Sequence, residues 1–489
     1  MPHQEAWCDR MGHILDQYHF ALDVSQIGAG KSYMSLYQAQ QRSLPAVVVG
    51  PPTVAVEWDT LHRENYPHSF ISYNRLIGRT CYEESLLKHG LLMRHDVEKK
   101  GVITAHYRPS EAYLLQVEEG LVLIVDEIQR IKNETSSRKA IQALIQPILA
   151  SERSYVIFLS GLPFDRPESF INFLKTLGVV TCKYYTRPAQ IRLGSVMGTH
   201  TDKDPTIYGY DQAIAWFRSI DPDGTQAVLG PYALDRDNAI WARHITWQLF
   251  TKCGSMFTGA CKVPPITVAC RRYNSYYPMT KESTKLYREG ESFLKTAVNE
   301  DGKIDFSTAT EGLMLIERGS LPTMVQEAKQ VLDANPTAKV ILYVMFIESY
   351  KTLRKALKPY GVLILKGGMS IQKKSFSIRE FHNNPEKRVF LVGLRVGGTG
   401  LNLQDFHGRR PRYLFMNPTY FFLDMCQAAG RTYRVGAKSD SELRVIHNKD
   451  VNIAQIISNI RQKSKVGKDT LALASLHAVL PSEYPEEHH

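Results

Sequence analysis

Short, continuously apolar runs punctuate the first 180 residues: "FALDVS" at 20–25, "AVVVG" at 46–50, "LVLIVD" at 121–126 and "YVIFLS" at 155–160. Turn residues bound each run, and most are followed by an amphipathic stretch. Apolarity that does not alternate suits strands covered on both faces, which predicts a parallel, doubly wound sheet. A second series starts near residue 321, with "KVILYVMF" (339–346), "GVLILKG" (361–367), "RVFLVG" (388–393), "RYLFMN" (412–417) and "ELRVIHN" (442–448). Helices are expected between these runs at about 348–358, 371–382, 419–430 and 451–463. The pattern therefore predicts two similar α/β lobes.

Residues 186–262 break the pattern. "GTHTDKDPTIYGYDQ" and "SIDPDGTQAVLGPYALDRD" are rich in Gly, Pro and Asp and read as loops, whereas "NAIWARHITWQLF" has helical spacing. The expected organisation is lobe one over 1–185, an inserted bridging region over 186–262, lobe two over 263–465 and a polar tail over 466–489.

Composition narrows the picture modestly. A chain of 489 residues exceeds one ordinary core. Sixty basic against 49 acidic residues give a net charge of +11, which suits a polyanionic partner without proving one. The seven cysteines are scattered and never spaced C-x-x-C, which points to a reducing, intracellular setting without structural zinc. No apolar run is long enough to cross a bilayer, and "MPHQEAWCDR" lacks a signal-peptide core, so no membrane association is expected.

The chemistry begins after the first strand, in "SQIGAGKSYMSLYQA". Gly28, Ala29 and Gly30 form a turn whose backbone N–H groups can face phosphate oxygens, Lys31 can reach the outer phosphates, and Ser32 offers a hydroxyl to magnesium. Ser25 stands where the usual phosphate loop begins with glycine. Downstream, "LVLIVDEIQRIKN" ends a buried strand on two adjacent carboxylates. A bound cation makes that pair tolerable: Asp126 is the candidate magnesium ligand, and Glu127 the group that orients and deprotonates the attacking water.

Several stretches together resemble helicase superfamily two, in its Swi/Snf-type branch of double-stranded DNA translocases. "VDEIQRIKN" is similar to the branch's D-E-x-H-x-x-K-N box, with Gln129 in the histidine position. "LSGLPFDRPESFINFL" (159–174) resembles the third motif, with Leu162 replacing a small polar residue. "VGPPTVAVEW" (49–58) and "ISYNRLIG" (71–78) resemble strand-gripping motifs. In the second lobe "LVGLRVGGTGLNLQ" (391–404), "MNPTY" (416–420) and "QAAGRTYRVG" (427–436) resemble the fifth motif, the W-N-P element with Met416 for tryptophan, and the sixth motif. "PHQEAW" resembles the glutamine motif that reads adenine.

The resemblance implies two RecA-like lobes that use ATP and Mg2+. It places adenine reading on Gln4 and further nucleotide contact on Gly400. Catalysis is implied for Lys31, Asp126, Glu127, Gln129, Gln427, Arg431 and Arg434, the last two being three apart and expected on one helix face. Such arginines stabilise transition-state charge. Strand contacts fall on Pro52, Thr53 and Ser72 in lobe one and on Gly368, Thr399 and Asn402 in lobe two. A nucleotide shared by two lobes works as a switch, because its hydrolysis removes the preference for closure.

The expected activity is thus ATP-driven, sequence-independent translocation on double-stranded DNA that remodels protein–DNA complexes or assists transcription or repair. The setting would be nucleus or cytoplasm, or a virion if the chain is of the compact kind encoded by large DNA viruses. Lys132, Arg138, Lys373, Lys374, Lys387, Arg388, Arg409, Arg410 and Arg412 are candidates for a phosphate-facing surface. Two other readings remain open: a strand-separating helicase on DNA or RNA, with a wedge within 80–120 or 186–262, and a catalytically weak, ATP-gated nucleic-acid scaffold.

Overall fold

The computed structural model describes residues 2–26, 28–64, 66–133, 135–164, 167–180, 189–193, 196–199, 205–230, 239–264, 266–297, 305–397, 401–453 and 456–458. Thr399, Gly400 and the tail expected over 466–489 lie outside them. The chain divides into two compact units, one built mainly from residues up to 262 and the other mainly from 263–468.

The first unit contains β1 (Phe20–Asp23), β2 (Ala46–Gly50), β3 (Ser69–Ser72), β4 (Ser85–Leu86), β5 (Leu92–Lys99), β6 (Val102–Pro109), β7 (Val122–Asp126), β8 (Tyr155–Leu159), β9 (Ala189–Leu193), β10 (Val196–Thr199) and β11 (Thr258–Gly259). Six of them form one sheet in the order β11-β1-β8-β7-β2-β3, parallel at every pairing. Every residue of β1, β2 and β7 is buried, as their unbroken Val, Ile and Leu content requires when helices cover both faces. Because every pairing is parallel, the strand carboxyl ends gather along one edge, where α/β sheets hold ligands.

Between β3 and β7 the chain inserts an antiparallel meander, β4-β5-β6. Lys100 and Gly101 sit side by side with φ of 53° and 73°, the left-handed pair that turns a tight hairpin. On its inner face Arg94 and Asp96 form a buried ion pair at 3.0 Å.

Within the Gly-, Pro- and Asp-rich stretches expected to be loops, the described residues from 205 to 229 are mostly helical, in helices Pro205–Ile220 and Pro222–Leu229, and residues 200–204 and 231–237 lie outside the described residues. The residues that read as loop are helix punctuation: the Asp221 carboxylate accepts from the Gly224 amide at 2.9 Å, and Pro222 occupies the first helical position. A third helix, Ala239–Cys253, carries Phe250, which stacks 4.3 Å from Phe170 of helix Pro167–Thr176. Phe158, Phe164, Phe217, Trp216, Trp247 and Phe257 extend this aromatic cluster from the sheet to the helices. The chain then returns as β11 beside β1, with Leu22 opposite Thr258.

The second unit contains β12 (Cys270–Tyr277), β13 (Lys339–Val344), β14 (Val362–Leu365), β15 (Val389–Gly393), β16 (Arg412–Met416) and β17 (Ser441–Asn448). They form a six-stranded parallel sheet in the order β12-β17-β16-β13-β15-β14. The fold class is therefore α/β with two parallel-sheet lobes. Helices Lys281–Thr296 and Phe306–Ala334 pack together through Gly290 and Gly312. A Cβ on either glycine would meet the other's carbonyl oxygen at 2.8 Å, so only glycine permits the approach.

Candidate active site

In the first unit β1 delivers the chain into the glycine-containing turn expected to bind phosphate. Gly28 and Gly30 adopt φ of 85° and 86°, the left-handed conformation glycine tolerates without strain. Lys31 Nζ folds back to donate to the carbonyls of Ser25 at 2.8 Å and Gln26 at 3.1 Å. Ser25 has a visible reason for replacing glycine: its buried hydroxyl accepts from the Cys261 amide at 2.9 Å, tying the loop's first residue to the segment after β11. Asp23 accepts from the Ser25 amide at 2.8 Å, and burial pushes its carboxyl up against the opposing pull of Lys31.

Gln4 comes from the N-terminal helix Pro2–Tyr18. A side chain on Gly30 would stand 2.2 Å from Gln4 Nε2, so the amide lies directly against the loop. Ser32 is the second residue of helix Lys31–Gln41, and its carbonyl accepts from Ser35 Oγ at 2.9 Å. Ala29 is buried within the turn.

Asp126 closes β7 and Glu127 follows with φ of 56°, unusual for a residue carrying a side chain. Burial, reinforced by the Glu127 charge, holds the Asp126 carboxyl above the ordinary carboxylate range, while a hydrogen bond from Trp58 opposes that rise. Trp58 Nε1 donates to Asp126 Oδ2 at 2.9 Å, and the Tyr73 hydroxyl donates to the Asp126 carbonyl at 2.8 Å. Gln129 uses both ends of its amide. Its Nε2 donates to Glu127 Oε2, and its Oε1 accepts from Ser160 Oγ at 2.7 Å. Ser160 Oγ in turn accepts from the Leu162 amide at 3.0 Å, so the second and third motifs are joined in one unit.

Pro52 is exposed and Thr53 half-buried at the start of a short helical turn, whereas Ser72 is buried and its hydroxyl caps helix Tyr73–Ile77.

In the second unit helix Phe422–Ala429 ends at Gly430. Arg431 and Arg434 therefore do not share a helix face: both lie in the turns beyond Gly430. Each is nonetheless buried. Arg431 donates to the Leu401 carbonyl at 3.3 Å, and its own carbonyl accepts from the Leu403 amide at 3.1 Å. Arg434 donates to the Gly430 carbonyl at 3.2 Å and to the Asn402 side-chain oxygen. Gln427 is buried in the last turn of the helix. The fifth and sixth motifs thus interlock, while Gly368 stands apart in an exposed turn with φ of 77°.

The expected basic surface is only partly a surface. Arg412 is fully buried and donates to the carbonyls of Leu403 and Arg410, each at 3.0 Å. Arg138 is buried beside Gln142, and Arg388 donates to the carbonyls of Leu332 and Asn335 at 2.6 Å each. Arg410 donates to the His382 carbonyl at 2.6 Å. Interior carbonyls at helix and loop ends need donors, and these arginines supply them. Lys373 and Arg409 remain exposed.

The residues fit a magnesium ion carried with a nucleotide. No group of three or more His, Cys, Asp or Glu able to hold a metal occurs among the described residues. One hydroxyl and one carboxylate beside a phosphate loop are the hard-oxygen donors of an ion whose other ligands are phosphates and water.

Residues 323–436 match the helicase conserved C-terminal domain. A protein of Acanthamoeba polyphaga mimivirus, named as an inferred ATP-dependent RNA helicase, is 24% identical over 91% of this chain and 78% of its own length. Over residues 323–436 the chain thus carries a helicase C-terminal domain, and its relatives are named as ATP-dependent helicases. It is an ATP-dependent enzyme similar to them. The chromatin remodeling factor mit1 of Schizosaccharomyces pombe is 20% identical over 91% of the chain, which spans 31% of that factor. The helicase ULS1 of Saccharomyces cerevisiae is 27% identical over 29% of the chain, which spans 9% of that protein. The SWI2/SNF2 ATPase core of Sulfolobus solfataricus, solved with double-stranded DNA, aligns over 99% of the chain at 16% identity and a TM-score of 0.31.

Three residues of this candidate site escape sequence reasoning: Trp58, Tyr73 and Ser160. Trp58 and Tyr73 lie inside the stretches that resemble strand-gripping motifs, and Ser160 inside the third motif. Position within a motif is the only trace of them in the sequence, because each bonds a residue 31 to 68 positions away.

Proposed function

We propose that this chain is an ATP-dependent translocase on double-stranded DNA, moving without base specificity to remodel protein–DNA complexes or to assist transcription or repair. In this reading the phosphate loop from Gly28 to Ser32 holds the triphosphate, Gln4 reads the adenine, and Gly400 contributes to the nucleotide site. Asp126 and Ser32 would hold magnesium, which supplies charge neutralisation at the phosphates. Glu127 orients and deprotonates the attacking water, and Gln427, Arg431 and Arg434 stabilise transition-state charge.

The carrying observation is the run of bonds from Glu127 through Gln129 and Ser160 to the Leu162 amide. It ties the hydrolytic carboxylate to the third motif, which a device coupling hydrolysis to movement requires. Pro52, Thr53, Ser72, Gly368, Thr399 and Asn402 are the strand contacts, made largely by backbone and hydroxyl groups that carry no sequence information. Relatives named as a chromatin remodeling factor and a DNA repair protein support DNA as the partner. The test is the ATPase rate with duplex DNA, single strands and RNA across a salt series. Duplex DNA is expected to stimulate most, with affinity falling linearly in log–log salt. Equal rates with and without every nucleic acid overturn the proposal.

Strand separation is favoured by one feature. The β5–β6 hairpin presents Val102 and Ile103, 64% and 48% exposed, at its tip, an apolar end of the sort that parts base pairs. Release of a labelled strand from a forked duplex, lost on Ile103→Asp, is the outcome that would favour it.

A further inference from the structure

Two short segments leave neighbouring strand ends of the first unit, and each sends one side chain back to the same carboxylate residue. The first leaves β2 at Gly50, exposes Pro52, buries Val54 and continues into helix Ala55–Arg63. That helix carries Trp58, which has no exposed surface and donates to Asp126 Oδ2 at 2.9 Å. The second leaves β3, whose Ser72 lies opposite Gly50 in the parallel ladder. Its next residue, Tyr73, is buried and donates its hydroxyl to the Asp126 carbonyl at 2.8 Å.

A third contact closes the arrangement. A Cβ on Gly50 would stand 3.3 Å from Asp126 Cβ and 3.2 Å from Val54 Cγ2, so the end of β2 lies close against Asp126 and a side chain there would crowd both. The side-chain oxygen and the backbone oxygen of Asp126 are therefore each fixed from a different segment. Both segments begin with residues assigned above to the nucleic-acid grip.

We propose that Trp58 and Tyr73 are positioning residues through which nucleic acid held at Pro52, Thr53 and Ser72 sets the orientation of Asp126, and thereby the rate of ATP hydrolysis. The proposal rests on the translocase reading. The physical reason is stiffness. Trp58 is the fourth residue of helix Ala55–Arg63, which follows the turn at Pro52 and Thr53, and Tyr73 is the first residue of the helix that Ser72 caps. A backbone shift at either segment start has no slack to absorb it before it reaches Asp126, and buried, close-packed contacts transmit small displacements.

Stimulation through these bonds makes a prediction that simple scaffolding does not. In full-length protein, Tyr73→Phe removes one hydroxyl and keeps the ring, and Trp58→Phe removes the N–H. ATPase rate is measured against duplex DNA concentration, giving the basal rate, the maximal rate and the half-saturating DNA concentration. Each variant is expected to lower the ratio of maximal to basal rate by about tenfold, the effect of one lost buried hydrogen bond, while the half-saturating concentration stays within about twofold of wild type. A merely structural role lowers both rates together and leaves the ratio unchanged, and that result overturns the proposal. If Trp58→Phe does not fold, the milder Tyr73→Phe decides alone. A stimulated wild type with unaltered variants removes this inference only, whereas an unstimulated wild type removes the translocase reading and this inference with it.

Discussion

The Ser160 hydroxyl donates to the Gln129 side-chain carbonyl at 2.7 Å. It thereby holds the amide whose other end reaches Glu127. Ser160→Ala leaves that carbonyl and the Leu162 amide without their partner in a buried setting. The expected result is a fall in kcat of roughly tenfold with KM for ATP little changed, since a buried hydrogen bond is lost and no nucleotide contact is touched. Steady-state ATPase kinetics check this; a rise in KM at unchanged kcat would speak against it.

Lys31 and Arg434 should separate binding from turnover. Lys31→Ala is expected to abolish binding of a fluorescent ATP analogue. Arg434→Ala should bind the analogue but lose about 10³-fold or more in turnover, the usual contribution of a transition-state arginine. Wild-type hydrolysis by the arginine variant would refute its assignment.

How far the chain could be read beforehand depends on where each residue's partners lie. Strands β2 and β7 were legible because "AVVVG" and "LVLIVD" carry their burial in their own composition. Strand β12, "CRRYNSYY", is a polar edge strand without that signature. The helices over 205–229 were obscured because Asp221 and Pro222 are equally suited to a loop and to a helix start. The spacing of Arg431 and Arg434 predicts a shared helix face, whereas the helix ends at Gly430 before either residue. Trp58 was unreadable because its partner, Asp126, is 68 positions away.

The aromatic cluster gives a stability prediction. Phe170 has no exposed surface and contacts Phe164, Phe173, Phe217, Trp247 and Phe250. Phe170→Ala is expected to cost about 3 to 5 kcal/mol, read as a lower Tm. If residues 205–257 contributed nothing to the first unit, Tm would barely move.

Lys339 sets a pH dependence. It lies buried at the start of β13 and donates to the carbonyls of Phe381 and Asn384. Burial first, then the charges of Arg412 and Arg410, pull its pKa down to about 7 from an ordinary 10.5. The folded chain therefore binds this proton less tightly than the unfolded chain does. Its contribution to stability is full above pH 10.5 and is lost as pH falls toward 7. Relative to Lys339→Met, the wild-type Tm should climb between pH 7 and pH 10. Parallel Tm curves over that range would contradict this.

The return of the chain as β11 bears on biosynthesis. When residues 1–200 have left the ribosome, β1 still offers a bare row of amides and carbonyls on its outer side, because Thr258 and Gly259 have not yet been made. The strand that feeds the proposed nucleotide loop is thus an open edge throughout synthesis of the intervening helices, and open edges invite pairing with the wrong chain. A fragment cut before residue 258 would keep that hazard permanently and should precipitate where the longer chain does not.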